Sequence, residues 1–146
     1  KKIKMKKKKI VGYTTGVFDL FHIGHLNIIK QSKKKCDYLI VGVTSDKLVF
    51  KLKKRHPIIP YSERSKIISS LRYVDKVVEE KIDDKILAWK KLKYNIVFKG
   101  SDHKNSEKWK KWKIELKGFG VKVNFIKYTE DTSSTLISSV LNKIYK

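Results

Sequence analysis

The sequence predicts a single doubly wound α/β domain, Rossmann-like, with about five parallel strands and right-handed crossovers. Three observations predict it. Short apolar runs alternate with helically spaced segments from residue 10 to residue 146. One run, Tyr38-Leu39-Ile40-Val41-Gly42-Val43, is apolar almost throughout, as in strands covered on both faces of a parallel sheet. The stretch from Gly16 to His25 links the first apolar run to the first helix through glycines. In open α/β sheets that geometry brings an anion to free N–H groups at a helix N-terminus.

Taken in order, Lys1–Lys9 carries seven lysines and reads as a basic leader, frayed until it enters the first strand. The domain is placed at residues 10–146. Ile10–Tyr13 is the first strand, and Thr14-Thr15-Gly16 starts the turn. Gly24 to Lys35 is the first helix, with Leu26, Ile28 and Ile29 on its inner face and lysines at its C-terminal end, where cations suit the dipole. Cys36 is a small buried filler before the second strand. Thr44-Ser45-Asp46 ends that strand. Asp46 sits where such sheets bind ligands, and it equally suits a turn or a helix cap. Val49 to Ile59 is basic and contains His56-Pro57, so a mobile loop outside the core is expected.

Pro60 to Arg64 opens the next helix, with Ser62 as its cap and Ile67, Ile68 and Leu71 as its apolar stripe. Leu71 to Val78 is a helix end and a short strand, with Arg72 and Asp75 paired across the turn. Asp83 to Leu92 is an amphipathic helix whose Trp89 belongs to the core. Asn95–Lys99 is the fourth strand, followed by a Gly100-Ser101-Asp102-His103 turn. Ser106 to Gly118 is a helix capped at Gly118. Its Trp109, Trp112 and Leu116 form one stripe, as core or as a cover over a pocket. Lys122–Ile126 is the fifth strand. Tyr128 to Thr135 joins it to a last helix with Leu136, Ile137, Val140, Leu141 and Ile144 on its apolar face. Hydroxyls at that junction make either an anion site or an ordinary cap.

Composition bounds the function. The chain has 146 residues, one ordinary domain, and 40% hydrophobic content, enough for a core. No apolar stretch is long enough to span a membrane, and no signal-peptide pattern is present. The single cysteine makes no internal disulfide, and a cytoplasmic protein is the expectation. The net charge of +22 invites a polyanion partner, but only three of 36 basic residues are arginines: Arg55, Arg64 and Arg72. Base readers lean on arginine's bidentate fork. The lysines therefore read as solvated faces, with no specific nucleic acid or membrane partner. A polyanion-binding module without catalysis is the alternative of another class.

Chemistry concentrates in Gly16-Val17-Phe18-Asp19-Leu20-Phe21-His22-Ile23-Gly24-His25. His22 and His25 are three apart and share a face of the opening helical turn, and Gly24 lets a phosphate approach the backbone. Two imidazoles aimed at one phosphate suit phosphoryl chemistry. This string resembles the signature of the cytidylyltransferase family within the HxGH nucleotidylyltransferase superfamily, and it is most similar to that of bacterial glycerol-3-phosphate cytidylyltransferases.

The resemblance implies transfer of CMP from CTP to a phosphorylated small alcohol, with sn-glycerol 3-phosphate first and phosphocholine or phosphoethanolamine next. Adenylyl transfer within the same superfamily also fits HxGH. His22 and His25 would stabilise the transition state, helped by Lys51, or Lys53, in the following loop. Gly16, Val17, Phe18, Asp19 and Gly24 would hold the nucleotide. Gly100 and Asp102 resemble part of a Gly-Asp-Asp-Trp motif. Tyr128, Thr129, Ser133, Ser134 and Thr135 resemble an Arg-Thr-x-Gly-x-Ser-Thr-Thr phosphate box, with Tyr128 and Asp131 departing from it. Lys85 would meet the acceptor's phosphate. Mg²⁺ is expected with the triphosphate, Asp19 helping to hold it or orienting the loop. Arg72–Asp75 resembles a segment near a homodimer interface.

Overall fold

The computed structural model describes residues 8–127 and 134–144. The first strand, β1, is Val11–Gly16, followed by α1 (Ile23–Lys34) and β2 (Tyr38–Thr44). Then come α2 (Asp46–Lys53), α3 (Tyr61–Ser69) and β3 (Lys76–Glu80). The second half runs α4 (Lys85–Leu92), β4 (Ile96–Gly100), a 3-10 turn (Ser101–His103), α5 (Glu107–Gly118), β5 (Lys122–Ile126) and α6 (Ser134–Ile144).

The sheet has five parallel strands in the order β3-β2-β1-β4-β5. The order reverses between β1 and β4. A crevice opens there at the C-terminal ends of the strands, which is where open α/β sheets bind ligands. Side chains alternate across the sheet. Leu39, Val41 and Val43 of β2 join Ile29 of α1 and Ile68 of α3 in one core. Ile40 faces the other way, toward Tyr13, Tyr94, Val97, Trp109 and Leu116. Helices thus cover both faces, which is why β2 is apolar nearly throughout.

Several expectations are corrected. Thr14, Thr15 and Gly16 continue β1 rather than starting a turn. The expected loop at 49–59 is half helix. Ser45 caps α2 by accepting from Leu48 N–H at 3.1 Å, and Leu48 and Val49 are buried. Basic residues hid that helix because they occupy its outer face. Ser62 lies inside α3, whose cap position is Pro60. The orphan Tyr61 N–H instead donates to the Asp46 carboxylate at 3.0 Å. Ile68 is fully buried while Ile67 is exposed. Arg72 and Asp75 do not pair: Arg72 donates to the Tyr73 hydroxyl, and Asp75 accepts from Lys33 at 2.5 Å and from Leu39 N–H at 2.8 Å.

At the end of α5 the reversal falls on Gly120, with φ of +78°, and not on Gly118. Trp89 is half-buried and stacks on Phe119 at 4.4 Å. The stripe on α6 is open: Leu136, Val140 and Ile144 are exposed, whereas Ser138 is buried. Among the described residues no helix is long and apolar enough to cross a membrane.

Candidate active site

The chain leaves β1 through a strained turn. Phe18 and Leu20 hold φ of 54° and 51°, left-handed values that non-glycine residues seldom adopt. Tertiary contacts hold them there. The Phe18 ring is buried and meets His25 edge-on at 5.5 Å. Arg64, 1% exposed, donates to the Val17 carbonyl at 2.6 Å, to the Ile59 carbonyl at 2.8 Å and to Asp46 at 2.7 Å. Asp19 accepts from Ile58 and Ile59 N–H at 2.8 and 2.9 Å, one through each oxygen. Asp19 and Arg64 therefore tie the turn to the segment between α2 and α3.

His22 is the N-cap of α1, and the two histidines form a reciprocal capping box. His22 Nδ1 accepts from Gly24 N–H at 3.1 Å, and His25 Nδ1 accepts from His22 N–H at 3.3 Å. With both Nδ1 atoms acting as acceptors, the ring proton of each neutral imidazole sits on Nε2. The rings lie 3.9 Å apart. Burial, then His22 and Lys53, lowers His25 to about 4, with Asp19 opposing them. Burial also lowers His22. Near neutral pH the pair is uncharged and presents two Nε2–H donors beside the positive end of a helix.

These groups line a cavity of about 450 Å³ at the strand-order reversal. Lys53, Arg55 and His56 line it beside the histidines, whereas Lys51 is exposed on α2 and does not. Both lysines are exposed, and of the two only Lys53 lines the cavity. Loss of water contact lowers the Lys53 ammonium, Arg55 adds to this, and Asp19 opposes it. Further along, the cavity is lined by Glu80, Asp83, Lys85, Lys99, Lys108 and Trp109. Lys85 is 2% exposed. Its ammonium is 2.8 Å from Glu80 and 3.5 Å from Asp83, so its charge is already met. Gly100, Asp102 and His103 complete the rim.

Of the phosphate box read in the sequence, Tyr128, Thr129 and Ser133 lie outside the described residues, and so does Asp131. Ser134 and Thr135 open α6, and Ser138, one turn on, lines the cavity. Reading the sequence missed Lys99, Lys108 and Arg64. The only signal for Lys99 was its place at the C-terminal end of a strand. Both Asp19 oxygens accept backbone N–H, from Ile58 and Ile59, which fits the loop-orienting role expected for it. Among the described residues no three His, Cys, Asp or Glu side chains gather as a metal site. Mg²⁺ keeps several waters and binds readily through substrate phosphates, so these residues suit an ion carried in with a nucleotide.

Comparisons with known proteins agree with this geometry. A family model described as cytidylyltransferase-like matches residues 13–140. The FAD synthase of Pyrococcus abyssi is 37% identical over 134 residues, covering 88% of each chain. That of Thermococcus sibiricus is 34% identical and covers 95% of each. The bifunctional protein HldE of Campylobacter fetus is 32% identical over 93% of this chain but 28% of its own length. Among solved structures, the lipopolysaccharide core biosynthesis protein from Thermoplasma volcanium superposes with a TM-score of 0.73 at 28% identity, covering 84% of this chain and all of that one. These relatives are FAD synthases and an HldE, whereas the motifs resemble those of glycerol-3-phosphate cytidylyltransferases. The chain belongs to the cytidylyltransferase-like family and is a nucleotidyltransferase of its superfamily.

Proposed function

We propose that the protein is an adenylyltransferase that joins AMP from ATP to FMN, forming FAD and pyrophosphate. The observation that carries the reading is the 37% identity, over most of both chains, to an FAD synthase. The cavity supports it. A phosphate oxygen of FMN attacks the α-phosphorus of ATP in line. A new P–O–P bond forms, the bond to the β-phosphate bridging oxygen breaks, and pyrophosphate leaves with the electron pair. No covalent enzyme intermediate is needed, so catalysis is positioning and charge stabilisation. His22 and His25 donate through Nε2–H to oxygens on which charge builds. The N-terminus of α1, Lys53 and Arg55 add positive potential. The nucleotide arrives as its Mg²⁺ complex.

A second reading is transfer of CMP from CTP to a phosphorylated alcohol. It is favoured by the string from Gly16 to His25, which resembles the glycerol-3-phosphate enzymes. The discriminating experiment is pyrophosphate release with Mg²⁺ and ATP or CTP. The acceptors are FMN, glycerol 3-phosphate, phosphocholine and phosphoethanolamine. Turnover with ATP and FMN is expected. Turnover confined to CTP and an alcohol phosphate overturns the FAD synthase reading. No turnover with any pair favours the polyanion-binding alternative.

A further inference from the structure

We propose that Lys99 docks the phosphate of the acceptor, in the same cavity as His22 and His25, and that Lys85 does not. The inference rests on the reading above, in which the acceptor is a phosphomonoester, and names the residue that recognises it.

The reaction needs two anion sites in one cavity, because both substrates bring phosphate. One is built by α1, the two histidines, Lys53 and Arg55, and it suits a triphosphate. The second must lie beside it, within reach of the α-phosphorus. Among the described residues three lysines line the rest of the cavity: Lys85, Lys99 and Lys108. Two are already matched. Lys85 is paired with Glu80 and Asp83, and Lys108 is paired with Asp83. Among the described residues Lys99 has no carboxylate within ion-pair distance, and its ammonium donates to the Thr15 carbonyl at 3.0 Å. An ammonium has three donors. The remaining two and the unmatched charge are what a phosphate dianion would take up. A half-buried cation without a counter-ion is costly until such a ligand arrives.

The placement is also right. Thr15 precedes Gly16 and the strained turn, and β1 pairs with β4. The bond to Thr15 therefore pins the Lys99 ammonium beside the loop that holds the nucleotide. Trp109, buried against Trp112 and Phe125, gives the same cavity an apolar wall for the rest of the acceptor.

The groups facing Lys99 define its response to pH. Glu80 comes from β3, Asp83 from the connection after it, Lys85 from the start of α4, and Asp102 and His103 from the 3-10 turn. Burial, then Lys85, lowers Lys99 to about 8 against the opposing pull of Glu80, Asp102 and Asp83. A phosphomonoester is fully dianionic above about pH 7. Any loss of acceptor affinity between pH 7 and 9 then reports the ammonium.

The test is equilibrium binding of FMN to the full chain, followed by flavin fluorescence, with riboflavin as the phosphate-free comparator. Pyrophosphate release with MgATP is run in parallel. Wild type is expected to prefer FMN to riboflavin by about ten- to a hundredfold, the range for hydrogen bonds to a charged group. Lys99→Met should erase that preference and raise the KM for FMN by a similar factor, leaving riboflavin binding and the KM for ATP in place. Lys99→Arg should restore FMN binding and abolish its decline between pH 7 and 9, because guanidinium stays charged. It also controls for misfolding. If wild type turns over FMN and Lys99→Met keeps the FMN preference, the assignment of Lys99 is overturned while the function stands. If wild type turns over another phosphomonoester but not FMN, the FAD reading falls and the KM comparison on that acceptor decides Lys99. If no phosphomonoester is bound or turned over, both fall.

Discussion

At the scale of single residues, His22 does two jobs with its two ring nitrogens. Nδ1 caps α1, and Nε2–H is the remaining donor of a ring that lines the cavity. The jobs separate by substitution. His22→Ala should lower kcat by about 10²–10³, as for loss of one transition-state donor, and cost about 1 kcal/mol through the lost cap. His22→Asn keeps a capping side chain but not the donor at Nε2. Denaturant midpoints should recover while kcat stays low; recovery of both would refute the division of labour.

His25 supplies a pH test with a definite sign. Its folded pKa of about 4 lies below the ordinary 6.5, so the unfolded chain binds more protons between those values. Its contribution to stability is present above about pH 6.5 and is lost as pH falls through about 4. Urea midpoints of wild type should fall across that window, and those of His25→Gln should fall less. Parallel curves would sink the claim.

At the scale of elements, Arg64 joins three segments that are distant in sequence: the turn after β1, the end of the α2–α3 connection, and the first residue of α2. Its side chain is fully enclosed, while Asp46 is 45% exposed. Arg64→Met should therefore cost about 2–3 kcal/mol, below the usual range for a fully buried pair. It should also cut turnover by releasing Val17. Arg64→Lys cannot reproduce the fork, so its urea midpoint should remain well below wild type. A midpoint equal to wild type would show that the three contacts are incidental. In the same way Ser106 accepts from Trp109 N–H at the start of α5, and Ser106→Ala should cost about 1 kcal/mol in the same assay.

At the scale of the whole molecule, the +22 charge sets a long-range field rather than a second site. It attracts anions to all faces, and only the crevice converts attraction into chemistry. Heparin or nucleic acid should bind at low salt and be lost steeply between roughly 0.05 and 0.2 M salt. His22→Ala should leave that binding unchanged while lowering nucleotidyl transfer by about 10²–10³. Polyanion binding that persists at high salt and discriminates sequence would contradict this view.

Local pattern determined that five short strands alternate with helices, and the apolar run of β2 reflects cover on both faces; their order across the sheet, β3-β2-β1-β4-β5, was decided by packing. Local spacing also determined the two-histidine turn, since three-residue separation at a helix start brings the rings together whatever surrounds them. Only the tertiary structure decided which charges are free. Lys51, Lys53, Lys85 and Lys99 look alike in the sequence, and burial next to Glu80 and Asp83 spends one of them while the switch between β1 and β4 exposes another to the cavity. Helix α2 was illegible because its basic outer face masked two buried positions, and Arg64 because its three acceptors are assembled by long-range packing.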